Sequence, residues 1–138
     1  MRQLADTTAW HLSRRVPELR GPFDQKTVSG DIGTCPIVTL ELLQSARNGR
    51  EFDERRLEMG ELPQFPIAAW EWARAVDVYR ELAHQGGSHQ RSVGHADLLI
   101  AAAAESAGVE LLHYDEDFDR IAAVTGQPTC WIVPRGSL

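Results

Sequence analysis

Val109-Glu110-Leu111-Leu112-His113-Tyr114-Asp115-Glu116-Asp117-Phe118-Asp119-Arg120-Ile121-Ala122 is the stretch that decides the fold. Residues 109–114 read as a strand, short and apolar at Leu111-Leu112, and residues 117–125 as the helix that follows it. Just upstream, residues 95–107 predict a helix that is apolar on nearly every side through Leu98-Leu99-Ile100-Ala101-Ala102-Ala103-Ala104, so it belongs at the centre of the molecule. Just downstream, residues 129–133 predict a last strand. Strand and helix in alternation are the pattern of an α/β fold with a largely parallel sheet.

The rest of the chain continues that alternation. Residues 1–5 predict a first strand, although Arg2 and Gln3 lower its apolarity, and residues 7–14 a short helix. Pro17, Gly21 and Pro22 predict a break before a second helix over 23–29. Thr34-Cys35-Pro36-Ile37-Val38 reads as a buried strand, with Thr39 capping a helix over 40–47 that ends at Asn48-Gly49. A charged helix covers 51–59, residues 63–66 form a turn or short extended piece, and the longest helix runs from 67 to about 84. On that helix Ala69, Trp72, Ala73, Val76, Tyr79 and Ala83 share one apolar face, expected to point inward, with Trp70 off it. Gln85-Gly86-Gly87-Ser88 reads as a loop. No linker, repeat or low-complexity tract interrupts the 138 residues, and a single domain over 1–138 is expected.

Composition excludes several classes of function. Hydrophobic residues make up 43% and charged ones 25%, the balance of a globular chain and not of a disordered one. Two cysteines, Cys35 and Cys130, are too few for a disulfide scaffold, and no C-x-x-C spacing offers a zinc site. The start lacks a signal-peptide core, and the longest apolar run, 98–104, is too short to cross a bilayer, so a soluble cytoplasmic protein with no membrane contact is expected. A net charge of −6 argues against a simple basic nucleic-acid-binding module. Lys26 is the only lysine, which removes P-loop chemistry and leaves a Schiff base little room.

Five carboxylates stand where apolar segments end or helices begin. Asp6 follows the first strand and Asp115 and Asp117 the Leu111-Leu112 strand, while Glu41 and Asp97 sit near the starts of apolar helices. Each has a structural reading of its own: Asp6 as an N-cap, Glu41 on an exposed helix face, Asp97 steadied by a helix N-terminus, Asp115 and Asp117 as solvated loop acids. Together they matter more, because ligands of open parallel sheets bind at the carboxyl ends of the strands. Carboxylates gathered there repel one another unless a cation intervenes. Mg²⁺ or Mn²⁺ takes oxygen ligands, and the reaction such a site serves is metal-assisted hydrolysis of a phosphodiester.

The sequence resembles the PIN-domain nucleases, and within them the VapC toxins of bacterial VapBC toxin–antitoxin pairs. The likeness spans nearly the whole chain. It rests on Leu4-Ala5-Asp6-Thr7-Thr8-Ala9-Trp10, Thr39-Leu40-Glu41-Leu42-Leu43, the Asp97–Ala104 segment and the 111–122 stretch, in that order. The resemblance implies a PIN-like fold, a twisted parallel sheet of four or five strands flanked by helices. It implies an Mg²⁺- or Mn²⁺-dependent endoribonuclease acting as a toxin. Asp6, Glu41 and Asp97 match the family's metal-binding acids, and Asp115 is the favoured fourth position, with Asp117 as second choice or outer ligand. Thr7 or Thr8 matches the hydroxyl beside the first acid; Thr8 is favoured as the hydrogen-bond partner of Asp6. RNA substrate, a small VapB-type antitoxin and a homodimer are the implied partners, with Trp10 and Trp70 as candidate interface aromatics.

Two rival readings start from the same residues. An aspartate-nucleophile phosphohydrolase would also end its first strand in Asp, but Asp6-Thr7-Thr8 lacks the second aspartate of D-x-D-x-T and the chain lacks the lysine such sites use. The other rival is a catalytically inactive, acidic PIN-like domain kept for protein binding.

Overall fold

The computed structural model describes residues 2–87 and 89–138; Met1 of the expected first strand and Ser88 of the expected loop lie outside the described residues. Four short strands form one parallel sheet in the order β2-β1-β3-β4: β1 (Gln3–Ala5), β2 (Ile32–Gly33), β3 (Glu110–His113) and β4 (Thr129–Trp131). Leu4 and Leu111 pair in the central register and neither is exposed, as expected of strands covered on both faces. Gln3, a polar residue in a central strand, is accommodated by partners: its amide donates to Glu110 Oε1 at 2.6 Å, and Lys26 Nζ donates to its carbonyl at 3.2 Å.

Helices α1 (Thr7–Arg15) and α2 (Pro17–Val28) connect β1 to β2; α3 (Pro36–Leu43), α4 (Gly49–Gly60), α5 (Ala69–His84), α6 (His89–Ser92) and α7 (His95–Ala107) lead from β2 to β3; α8 (Glu116–Thr125) joins β3 to β4. Leu98 through Ala104 on α7 are all buried, which puts that helix at the centre of the packing as its sequence predicts. Among the described residues no helix is long and apolar enough to cross a membrane.

Three expectations are corrected. The second helix starts at Pro17 and runs through Gly21 and Pro22. Pro17 occupies the first turn, where its missing N–H costs nothing, and Phe23 anchors the helix by packing its ring 4.8 Å from that of Trp10. The second strand precedes Thr34: Pro36 opens α3, so Cys35 is its N-cap, Thr39 lies inside it, and Asn48 caps α4 by accepting from Glu51 N–H at 2.9 Å. Thr34 itself makes only a bridge to Gln64. The strand can run here only because position 33 is glycine, since a Cβ there would meet the Phe65 ring at 2.4 Å.

The third correction concerns α5. Its buried residues are Glu71, Ala75, Val78 and Leu82, and Glu71 caps the helix start by accepting from Ala68 N–H at 2.7 Å. Most of the stripe expected to face inward faces out instead: Ala69, Trp72, Ala73, Val76 and Ala83 are exposed, while Tyr79 alone of the six is half-buried and packs against the core. Trp72 is 56% exposed, Trp70 54% and Val76 65%.

Candidate metal centre

In the strand order β2-β1-β3-β4 the direction of winding reverses between β1 and β3, and the crevice at their carboxyl ends is the switch point where an open α/β sheet binds ligands. The acids come to this edge. Asp6 directly follows β1, and its N–H donates to Leu112 O at 3.0 Å. Asp97 lies in the first turn of α7, and Asp115 is the N-cap of α8, accepting from Asp117 N–H at 2.9 Å.

Asp97, Asp115 and Asp117 form the tightest set, each offering a carboxylate oxygen within 4.8 Å of the others. That set does not include Asp6 or Glu41, but both add negative charge to it: Asp115, Asp6, Asp117 and Glu41 all act on Asp97. Burial, with these neighbours behind it, pushes the Asp97 carboxyl up to about 7. Burial also raises Asp6 to about 6, against the hydrogen bonds that favour its charge, and raises Asp117. Hard oxygen donors held close against their own repulsion suit a divalent cation, and the cluster is compatible with such a site.

Hydroxyls fix the two acids outside the tight set. Thr8 Oγ1 lies 2.7 and 2.8 Å from the two oxygens of Asp6 and accepts from Tyr114 N–H at 2.9 Å, which ties the end of β1 to the end of β3. Ala9 N–H completes the hold on Asp6 at 2.9 Å. Thr7 Oγ1 donates to Glu41 Oε1 at 2.7 Å. Adjacent threonines therefore serve different acids, and the part played by Thr7 had a sequence signal only in its place beside Asp6.

The four acids between 115 and 119 separate in space. Asp115 and Asp117 join the cluster, Glu116 pairs with Arg120 and Arg135, and Asp119 accepts from Trp131 Nε1 at 3.2 Å. His113, fully buried between the rings of Phe118 and Trp131, accepts from Asp115 N–H through Nδ1 at 3.1 Å and so helps to set the turn that carries Asp115. Burial holds this imidazole below its usual range, so it is a neutral support. The sequence places His113 near the cleft but gives neither it nor Arg120 a role; the spacing of Arg120 three and four residues after Asp117 and Glu116 was the available signal.

The sequence matches the PIN domain family over residues 5–124. The chain belongs to the PIN-domain family. Among its relatives, it is 49% identical over 133 residues to Ribonuclease VapC18 of Mycobacterium tuberculosis, covering 96% of each chain. It is 39% identical over 139 residues to Ribonuclease VapC51 of the same organism, covering 100% of this chain and 98% of that one. These identities place this PIN domain among the VapC proteins. Its fold is also that of the DNA-bound VapBC crystal structure from Salmonella typhimurium, at a TM-score of 0.73 and 21% identity over 96% of this chain and 99% of that one.

Proposed function

We propose that this PIN domain, taken as one unit over residues 1–138, is an endoribonuclease dependent on Mg²⁺ or Mn²⁺ and the toxin of a type II toxin–antitoxin pair. The observation that carries the reading is the gathering of Asp97, Asp115 and Asp117 at the switch-point edge of a chain 49% identical to Ribonuclease VapC18. In this reading Asp97 and Asp115 hold the ion directly, Asp117 is a direct or outer ligand, and Asp6 supports it from the end of β1. A divalent ion there supplies Lewis acidity, acidifying water and offsetting charge on the phosphodiester. Glu41, oriented by Thr7, offers an oxygen to the proton that water gives up. Thr8 keeps Asp6 aimed by holding both of its oxygens. Because Asp6 and Asp97 titrate near 6 and 7, they hold protons in acid and yield them to a cation as the pH rises.

Partners follow from two surfaces. A groove of about 780 Å³ runs between α1, α2 and α4, lined by Trp10, Val28, Leu42, Met59 and Leu62 with Arg14 and Arg55 beside them. It is the seat proposed for a segment of a VapB-type antitoxin, consistent with structural neighbours that are VapBC complexes. The outward stripe of α5 is the seat proposed for a second copy of this chain. Action in the cytoplasm, where RNA is the substrate, completes the reading.

Incubating the antitoxin-free protein with total RNA tests the activity. Discrete products are expected with Mn²⁺ or Mg²⁺, and none with EDTA or once the VapB-type partner is added. Metal-independent products would reject the proposed chemistry. Intact RNA together with a melting temperature indifferent to Mn²⁺ would favour the inactive protein-binding domain instead.

A further inference from the structure

Asp117 faces two ways. One of its oxygens belongs to the cluster with Asp97 and Asp115, yet Oδ1 also accepts from Arg120 Nη1 at 2.6 Å. The same guanidinium reaches Glu116 Oε1 at 3.2 Å, and Arg135 pairs with Glu116 from the other side. Arg120 projects back along α8 toward its N-terminus, as long helical side chains do, so its charge borders the acids while a third of its side chain stays open to solvent. It is a cation built against a site made of anions.

An RNA strand must bring a phosphate to that site on a chain whose net charge is −6. Five carboxylates around the edge oppose it. Arginine presents a planar fork that fits a carboxylate and a phosphate equally well. A divalent ion drawing on the Asp117 carboxylate competes with Arg120 for it, and the charge released is at the spot where a phosphate arrives.

Resting on the nuclease reading above, we infer that Arg120 is a phosphate-positioning residue that gives up Asp117 for an RNA phosphate when the divalent ion binds. In the metal-free protein it stands in for the missing cation; in the loaded protein it anchors the substrate. Arg120 gives up Glu116 as well, but Arg135 stays paired with that acid, so the carboxylate left to the ion is Asp117.

Opposite signs in two measurements test this. Arg120→Gln should bind Mn²⁺ several-fold more tightly in calorimetry without RNA, because it removes both a competitor for Asp117 and a positive charge. The same variant should lose roughly tenfold in kcat/KM on RNA, mostly through KM. Its plot of log kcat/KM against log salt should be shallower by about 0.7, the loss of one phosphate contact on a single strand. Arg120→Lys, which keeps the charge and loses the fork, should restore most of the salt slope. Weaker Mn²⁺ binding by Arg120→Gln, or an unchanged salt slope, would overturn the inference. A wild-type protein that neither binds Mn²⁺ nor cleaves RNA would bring down the nuclease reading itself, which keeps the two failures apart.

Discussion

Replacing Asp97 with asparagine is expected to cut RNA cleavage by roughly a thousandfold, about 4 kcal/mol of lost transition-state stabilisation, while making the metal-free protein harder to melt. The two effects share one cause. Asp97 has a carboxyl raised from 3.8 to about 7 by burial and by the acids around it. Between those values the folded chain holds a proton that the unfolded chain has released, so its stability falls as the pH rises from about 4 to about 7 and the cost is complete above that. At about 1.4 kcal/mol per pH unit the full cost is a few kcal/mol; solvent reaching the half-buried carboxylate leaves about 2 kcal/mol. An asparagine carries no charge to desolvate and can donate to the neighbouring acids. In chelator at about pH 8, Asp97→Asn should therefore melt roughly 5–10 °C higher than wild type. At about pH 4 the gap should close. Scanning calorimetry at both values checks the sign, and a variant less stable than wild type at the higher pH would show that Asp97 is an ordinary structural acid.

The second large effect concerns association. Trp72→Glu is expected to convert a dimer into a monomer of 15.4 kDa. Trp70, Trp72 and Val76 are each more than half exposed on α5, an apolar surface a monomer has no use for. The stripe complements itself. Trp72 and Ala73 lie toward its N-terminal end, and exposed Arg80 lies two turns later. Two copies packed antiparallel about a twofold axis near Val76 set each Trp72 against Arg80 of the other, a cation over an aromatic face worth about 1 kcal/mol per contact, with the helix dipoles opposed. Each half-exposed tryptophan brings on the order of 100 Å² to an interface that needs about 800 Å² per partner. A recess of about 420 Å³ beside Trp70 and Asp77, between α5 and α7, offers room for flanking side chains of the second copy. A glutamate in place of this aromatic, which the twofold axis places in the interface twice, should raise the dissociation constant at least ~100-fold, about 3 kcal/mol, with little change in folding because position 72 is exposed. Light scattering across a dilution series reads the mass directly; equal masses for the variant and the wild type would reject this surface.

What the sequence made legible, and what it hid, follows from what local chemistry can express. β3, α7 and α8 were readable because one strand-length apolar pair, one all-apolar helix and a run of acids lie next to each other in sequence. That Asp6 shares an edge with Asp115 and Asp97 was readable through the general rule for parallel sheet edges and through the family resemblance, not from local spacing, since about ninety residues lie between Asp6 and Asp97. The apolarity of 34–38 misled its reading, because a short apolar run suits a strand as well as the first turn of a buried helix; Pro36, which opens α3, was the signal against a strand. Pro22 suggested a break that the packing of Phe23 on Trp10 overrides. The most instructive error is α5, a helix with two apolar stripes. Periodicity selects the one richer in tryptophan, whereas the fold buries Ala75, Val78 and Leu82 and turns the tryptophans outward. A helix apolar on two sides can take two partners; this chain supplies one, and the proposed second copy would supply the other. The pairing of Thr7 with Glu41 and the double engagement of Asp117 depend on side-chain direction across elements, which no spacing rule encodes.

The most direct test of the proposed centre is a calorimetric titration of Mn²⁺ into the metal-free protein, beside Asp97→Asn. Saturable binding that releases protons, tightens from about pH 5.5 to about pH 7.5 and disappears in the variant is the predicted result, since the acid that titrates near 7 must be ionised to hold the ion. Binding that is absent from the wild type at millimolar Mn²⁺, or equal in the two proteins, would contradict a metal centre built on these carboxylates.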